Sequence, residues 1–224
     1  TLSLDDALPI CLTEEPVALL SDALSLVQHY PHLQELQLDL KIEAGRMEDT
    51  LIELLRLVEP VKGRVRVTSV ADWALRRLRA LEPDLPLGFD PLLYLDLRAS
   101  PEDTPPFRRG AYGYWDDHPL ASCWWGPPAD YLEARAEALW AQAPAGSAWY
   151  IRAPLLGQAF DDGFDWVDYL HARQAEVTAW TLDANEPGHL ELARTLISAG
   201  VDRITTNDAL RFARALEGPG RALG

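Results

Sequence analysis

The chain has 224 residues, 48% hydrophobic and 25% charged, the balance of an ordinary globular protein long enough to bury one large core. Thirty-five acidic residues against twenty basic ones give a net charge of −15. That field repels nucleic-acid backbones and disfavours them as partners, and an anionic ligand would need a metal or a local Lys/Arg cluster.

In chain order, Pro16–Tyr30 reads as a helix opening on a proline at a first-turn position. Glu35–Ile42 alternates apolar and polar residues as a strand does. Met47–Val58 places Leu51, Leu54, Leu55 and Val58 on one helical face. Arg64–Val70 is a β-branched strand, Asp72–Leu81 a helix, and Leu85–Phe89 a short strand between Pro and Gly. The remaining predicted elements are a helix over Tyr131–Ala143, a strand over Ala148–Ala153, and a helix over Trp166–Arg173. They continue with a strand over Glu176–Leu182, a helix over Gly188–Ala199, a strand over Asp202–Thr206 and a helix over Asn207–Leu216. Asn207 suits an N-cap, and Gly200 a left-handed helix end.

No apolar run reaches about 18 residues, so no membrane-spanning helix is expected. No basic start followed by an apolar stretch marks a secretory leader, and with Thr at position 1 the chain need not begin at the natural start. Cys11 and Cys123 have neither metal-ligand spacing nor the density of a disulfide framework. The compartment stays open, with the cytoplasm favoured.

Strand–helix alternation implies a parallel sheet with helical crossovers. An open doubly wound sheet and a closed barrel both satisfy it. No G-x-G-x-x-G turn follows a strand, which weakens the first. Six units in this length suit a (β/α)8 barrel cut short. One insertion, at about 98–128, breaks the rhythm. It carries Tyr112, Tyr114, Trp115, Trp124 and Trp125, too many large aromatics for a disordered connection. A substrate lid and a packing flap are equal readings of it.

Asp39 and Lys41 stand on one side of their strand, because side chains alternate with period two. A carboxylate beside an ammonium at a strand's carboxyl end suits a cation–phosphate site; an ion pair inside the barrel is the plainer reading. Arg152 reads as an ion-paired or solvent-facing residue with a phosphate contact as its sharper alternative. Asp116-Asp117 and Asp161-Asp162 read as solvated acids. Ser69 lacks the Gly-x-Ser-x-Gly elbow of a serine hydrolase.

Four segments in order resemble glycerophosphodiester phosphodiesterases. Thr1–Leu8 (TLSLDDAL) is similar to the family's P-T-L-x-E-x-L stretch, and Leu38–Lys41 (LDLK) to its I-E-I-K strand, with Asp39 in place of Glu. Val65–Val70 (VRVTSV) resembles the strand that ends in S-F. The most specific part is VTAWTLD at 177–183 with AGVDRITTNDA at 199–209, which resembles V-x-x-W-T-V-N followed by G-V-D-G-I-I-T-D.

The resemblance implies one barrel domain over residues 1–224, of the (β/α)8 TIM type and lacking its first two strands. It implies metal-dependent hydrolysis of glycerophosphodiesters to glycerol 3-phosphate and an alcohol in the full-length protein, a place in lipid metabolism, and Mg²⁺ or Ca²⁺ as cofactor. Asp39 becomes a metal ligand, one methylene shorter than the family's Glu; Lys41 becomes a phosphate contact and Trp180 a wall of the substrate pocket. The family's H-R-G and E-x-D strands and His-containing loop have no counterpart in the chain, so this chain alone is expected to be hampered in proton transfer. His118, within the insertion, is the histidine placed to reach the mouth; His29, His32, His171 and His189 fall at helix ends. A non-catalytic barrel that binds a phosphorylated ligand or a protein partner is the alternative.

Overall fold

The computed structural model describes residues 19–41, 47–97, 109–116 and 118–217. Thr1–Leu8, Pro16, Ile42, residues 98–108 of the insertion and Asp117 lie outside the described residues. The elements are α1 (Leu20–His29), β1 (Leu36–Asp39), α2 (Met47–Val58), β2 (Val65–Ser69), α3 (Asp72–Leu81) and β3 (Leu87–Phe89). They continue as α4 (Pro128–Gln142), β4 (Ala148–Arg152), α5 (Ala153–Asp161), α6 (Trp166–His171), β5 (Val177–Trp180), α7 (His189–Ser198), β6 (Arg203–Ile204) and α8 (Ala209–Glu217). Every predicted strand forms within its predicted range, and α2 and α3 have their predicted bounds. Helix α5 is the element the periodicity passes over.

The six strands make one parallel sheet in the order β1-β2-β3-β4-β5-β6. A doubly wound sheet must reverse its strand order at a switch point. This one never does, so the open-sheet alternative falls and the strands form a partial (β/α) barrel. The sheet curls until its first and last strands face each other. Arg203 of β6 donates to Glu35, just before β1, at 2.6 Å, and Arg66 of β2 bridges Glu35 and Glu176 at 3.1 Å each. These four charges floor the barrel at the strands' amino ends.

Alternation decides what each strand face meets. Val65, Val67, Leu87, Phe89, Trp149, Ile151, Val177 and Ala179 are buried with the apolar sides of the helices. The opposite face carries Gln37, Arg66, Thr68, Tyr150 and Thr178, so the apolar core lies between sheet and helices, and the barrel interior is polar. At Gly88 a Cβ would stand 2.5 Å from the Tyr150 ring and 2.6 Å from the Thr68 methyl; the glycine leaves the width that Tyr150 fills. Gly88→Ala is therefore expected to overpack the interior and destabilise by about 1–3 kcal/mol. An unchanged thermal midpoint would contradict this packing.

Gly200 has φ +98° just beyond α7, as a left-handed helix end requires. Asn207 is not the cap of α8. Its Nδ2 donates to Asp183 at 2.7 Å, while Asp208 accepts from the Arg211 N–H at 3.0 Å and takes the capping role.

The described part of the insertion is moored to the flank of the barrel. Tyr112 stacks on Tyr131 of α4 with ring centroids 4.3 Å apart, and Tyr114 donates to Asp162 at the end of α5 at 2.6 Å. Asp116 is buried, not solvated: it accepts from the His118 N–H, the Tyr131 hydroxyl and Arg135 Nε at 2.8, 2.7 and 2.5 Å. Burial first, and then the Asp116 charge, push the Tyr131 hydroxyl far above its ordinary pKa.

Candidate functional site

A cavity of about 310 Å³ opens at the carboxyl ends of the strands, lined by Asp39, Lys41, Asp90, Tyr150, Trp180 and Thr205 among others. This is the end at which barrel enzymes carry their chemistry. The sequence-predicted residues Asp39, Lys41 and Trp180 all border it, although the first two lie some 140 positions from the third.

Asp39 ends β1, and Lys41 follows it on the same side. Their side chains form an ion pair of 2.7 Å and are 53% and 74% exposed. Exposed pairs of this kind contribute only about 0–1 kcal/mol. Lys41 can therefore exchange the Asp39 oxygen for a ligand's phosphate oxygen at little cost.

Arg152 ends β4 and faces the interior. Its Nη1 donates to both oxygens of the fully buried Asp96 at 2.9 Å, which is the ion-paired reading. The guanidinium carbon lies 5.8 Å from the Trp180 ring centroid, within the range of a cation–π contact. Trp180 ends β5, its peptide bond to Thr181 is cis, and its Nε1 is buried without a hydrogen-bond partner.

Sequence reasoning missed Asp90, the residue after β3. Its N–H donates to the Ser69 carbonyl at 3.1 Å, and its carboxylate accepts from the Leu92 N–H at 2.9 Å. Burial pushes the carboxyl up to about 7; the charge of Asp39 adds to the rise, while the Leu92 N–H and Lys41 oppose it. An acidic residue at the carboxyl end of a barrel strand is the signal that could have found it.

The segments carrying the most specific motif are tied together by Asp183. Its carboxylate accepts from the Thr206 hydroxyl at 2.9 Å and from the Asn207 N–H and Nδ2 at 2.8 and 2.7 Å. Those Asn207 bonds hold the carboxyl below its ordinary pKa. The motif thus joins the loops after β5 and β6 and fixes Trp180 and Thr205 on one wall.

Four of the five histidines are engaged elsewhere. His118 Nδ1 accepts from the Leu120 N–H at 3.2 Å, capping a short turn, and His118 does not line the mouth cavity. His171 pairs with Asp202 at 2.9 Å, His189 Nδ1 accepts from the Asp183 N–H at 3.0 Å, and His29 Nδ1 lies 2.7 Å from the Ser25 carbonyl. Ser69 donates to the Leu40 carbonyl at 2.8 Å and is buried, a structural contact. Among the described residues no three His, Cys, Asp or Glu side chains group closely enough to hold a metal ion. The described mouth residues do not by themselves fit a divalent cation.

No family model matches the chain, and no curated protein matches it. Solved structures do. A Galdieria sulphuraria protein assigned as a glycerophosphodiester phosphodiesterase has a TM-score of 0.55 at 20% identity, over 88% of this chain and 63% of its own. A Silicibacter pomeroyi protein with the equivalent assignment gives 0.51 at 19%, over 88% and 56%. An Oleispira antarctica phosphodiesterase, solved with its product sn-glycerol-3-phosphate, gives 0.51 at 18%, over 88% and 60%. The chain spans 56–63% of the length of these proteins. Over 88% of its own length the chain has the fold of the glycerophosphodiester phosphodiesterases, as a partial (β/α) barrel.

Proposed function

We propose that the barrel mouth is a phosphodiester site, and that the protein hydrolyses glycerophosphodiesters to glycerol 3-phosphate and an alcohol. The observation that carries this reading is the convergence of Asp39, Lys41 and Trp180 on one cavity. The fold likeness supports it, as does the glycerol 3-phosphate held by the Oleispira antarctica protein.

In this reading Lys41 meets a phosphate oxygen, and Asp39 holds the ammonium in place until the ligand arrives. Trp180 gives the carbon chain of the glycerol an apolar wall. Arg152, fixed by Asp96, packs against that wall from behind. A divalent cation, Mg²⁺ or Ca²⁺, would neutralise charge on the phosphate, and this part of the reading asks for ligands beyond the described residues. No helix among the described residues is long and apolar enough to cross a membrane.

The test is release of glycerol 3-phosphate from glycerophosphocholine in the presence of Mg²⁺. Lys41→Met is expected to lower kcat/KM by about 10²-fold or more, the usual consequence of removing a charge that stabilises the transition state. Undiminished turnover in this variant would contradict the reading. One observation favours the alternative, a barrel that binds a phosphorylated ligand without cleaving it: no described histidine lines the mouth. Saturable binding of glycerol 3-phosphate with no turnover would establish that alternative.

A further inference from the structure

We propose that Trp124 and Trp125 of the insertion dock the protein on a membrane surface of choline phospholipids. The inference goes beyond the proposed hydrolysis and does not depend on it.

The two indoles are exposed and yet fixed. Trp124 is 63% exposed and Trp125 46%. Trp125 Nε1 donates to the Leu120 carbonyl at 2.9 Å, and the Trp125 N–H donates to the Tyr112 hydroxyl at 2.9 Å. Tyr112 is buried, and its ring centroid lies 4.4 Å from that of Trp124. Through its stacking on Tyr131 it ties the pair to α4. Side chains already held in place lose little conformational freedom when they dock.

The pair belongs to the mouth end of the barrel. The insertion leaves the carboxyl end of β3, where Asp96 and Trp115 exchange backbone bonds at 3.0 and 2.8 Å. The same Asp96 holds Arg152 beside Trp180. The chain returns through Pro127 to the start of α4, the helix that leads back to the amino end of β4. Connections from strand to helix lie at the carboxyl face of a parallel barrel. Leu93, next to the cavity-lining Leu92, adds a further exposed apolar side chain at that face.

Charge selects the lipid. Between Arg109 and Arg135 the sequence has no Lys or Arg, and Arg135 is buried against Asp116. Asp130 and Glu133 follow the pair and are exposed. Asp130 Oδ2 lies 3.3 Å from the point that a Cβ on Gly126 would occupy, so a carboxylate stands next to the indoles. Anionic lipids attract basic segments and repel a chain of net charge −15. A choline headgroup has no net charge and presents a quaternary ammonium outermost, a cation that aromatic faces bind. Indoles settle at the level of such headgroups, and Asp130 supplies the counter-charge.

Flotation of the full chain with phosphatidylcholine vesicles tests the proposal. The wild type is expected to float with the vesicles, and more weakly where part of the lipid is replaced by phosphatidylserine. Trp124→Ala with Trp125→Ala is expected to lower the partition by about tenfold or more, with circular dichroism confirming that the variant is folded. A second measurement uses the wild type alone: phosphatidylcholine with brominated acyl chains should quench part of its tryptophan emission. No flotation, equal flotation of the wild type and a folded double variant, preference for phosphatidylserine, or no quenching would each overturn the proposal. Self-association that the double variant loses, without vesicle binding, would overturn it too and assign the pair to a second copy of the chain. None of these readouts involves turnover, so the phosphodiesterase reading stands or falls separately.

Discussion

Asp116→Ala is expected to destabilise the protein by about 3–5 kcal/mol, the cost of stripping one partner from a buried ion pair. The side chains of Arg135 and Asp116 are 4% and 0% exposed. Removal of the carboxylate leaves the guanidinium buried without its counter-charge, and it takes the acceptor from the Tyr131 hydroxyl and the His118 N–H. For a chain of this size the thermal midpoint should fall by roughly 6–20 °C. Replacing both partners, as Asp116→Ala with Arg135→Met, should cost less than Asp116→Ala alone, because an apolar pair needs no compensation. A double variant as unstable as the sum of its parts would show that the two side chains are not coupled.

Asp96→Ala acts on the barrel mouth itself. The carboxylate is fully buried and holds Arg152 Nη1 with both oxygens; it also accepts from the Leu97 N–H at 2.8 Å. Arg152 is 27% exposed, so its freed guanidinium can reach water. The expected loss lies at the low end for a broken buried pair, about 3 kcal/mol. Urea unfolding should show it as a lower midpoint with an unchanged slope. A midpoint equal to that of the wild type would mean that Arg152 does not depend on Asp96 for its place beside Trp180.

The fold was legible where local pattern and tertiary role coincide. Leu36–Asp39 and Val65–Ser69 alternate because one face meets helices and the other a polar interior, and that alternation is written in the residues. Helix α5 was hidden by its start. Ala153 follows Arg152 with no polar cap between strand and helix, so it reads as the strand's last residue. Gly157 further weakens the helical pattern; it stands where a Cβ would be 2.8 Å from Leu192 of α7.

The site was legible only in part. By spacing alone Asp39 and Lys41 read more plainly as an ion pair; it is the motif resemblance that marks them, and Trp180 with them, as candidates. Asp90 followed by Pro91 reads as a turn ending a strand. Its place in the cavity emerges only from the register that sets Asp39 beside Thr68 and Thr68 beside Gly88, which carries Asp90 to the rim that holds Lys41. Asp116 looks like a solvated acid because Arg135, nineteen residues on, is invisible to any local pattern. Asn207 looks like a cap because nothing nearby in sequence reveals that Asp183 engages it.

The central claim, that the barrel mouth receives a glycerol phosphate through Lys41, is tested most directly by calorimetric titration of sn-glycerol 3-phosphate into the wild-type chain and Lys41→Met. Saturable one-site binding in the wild type, weakened about tenfold or more in the variant, is the predicted result; charge-assisted contacts to a phosphate contribute about this much. Binding of equal strength in both proteins would place the phosphate elsewhere and contradict the account.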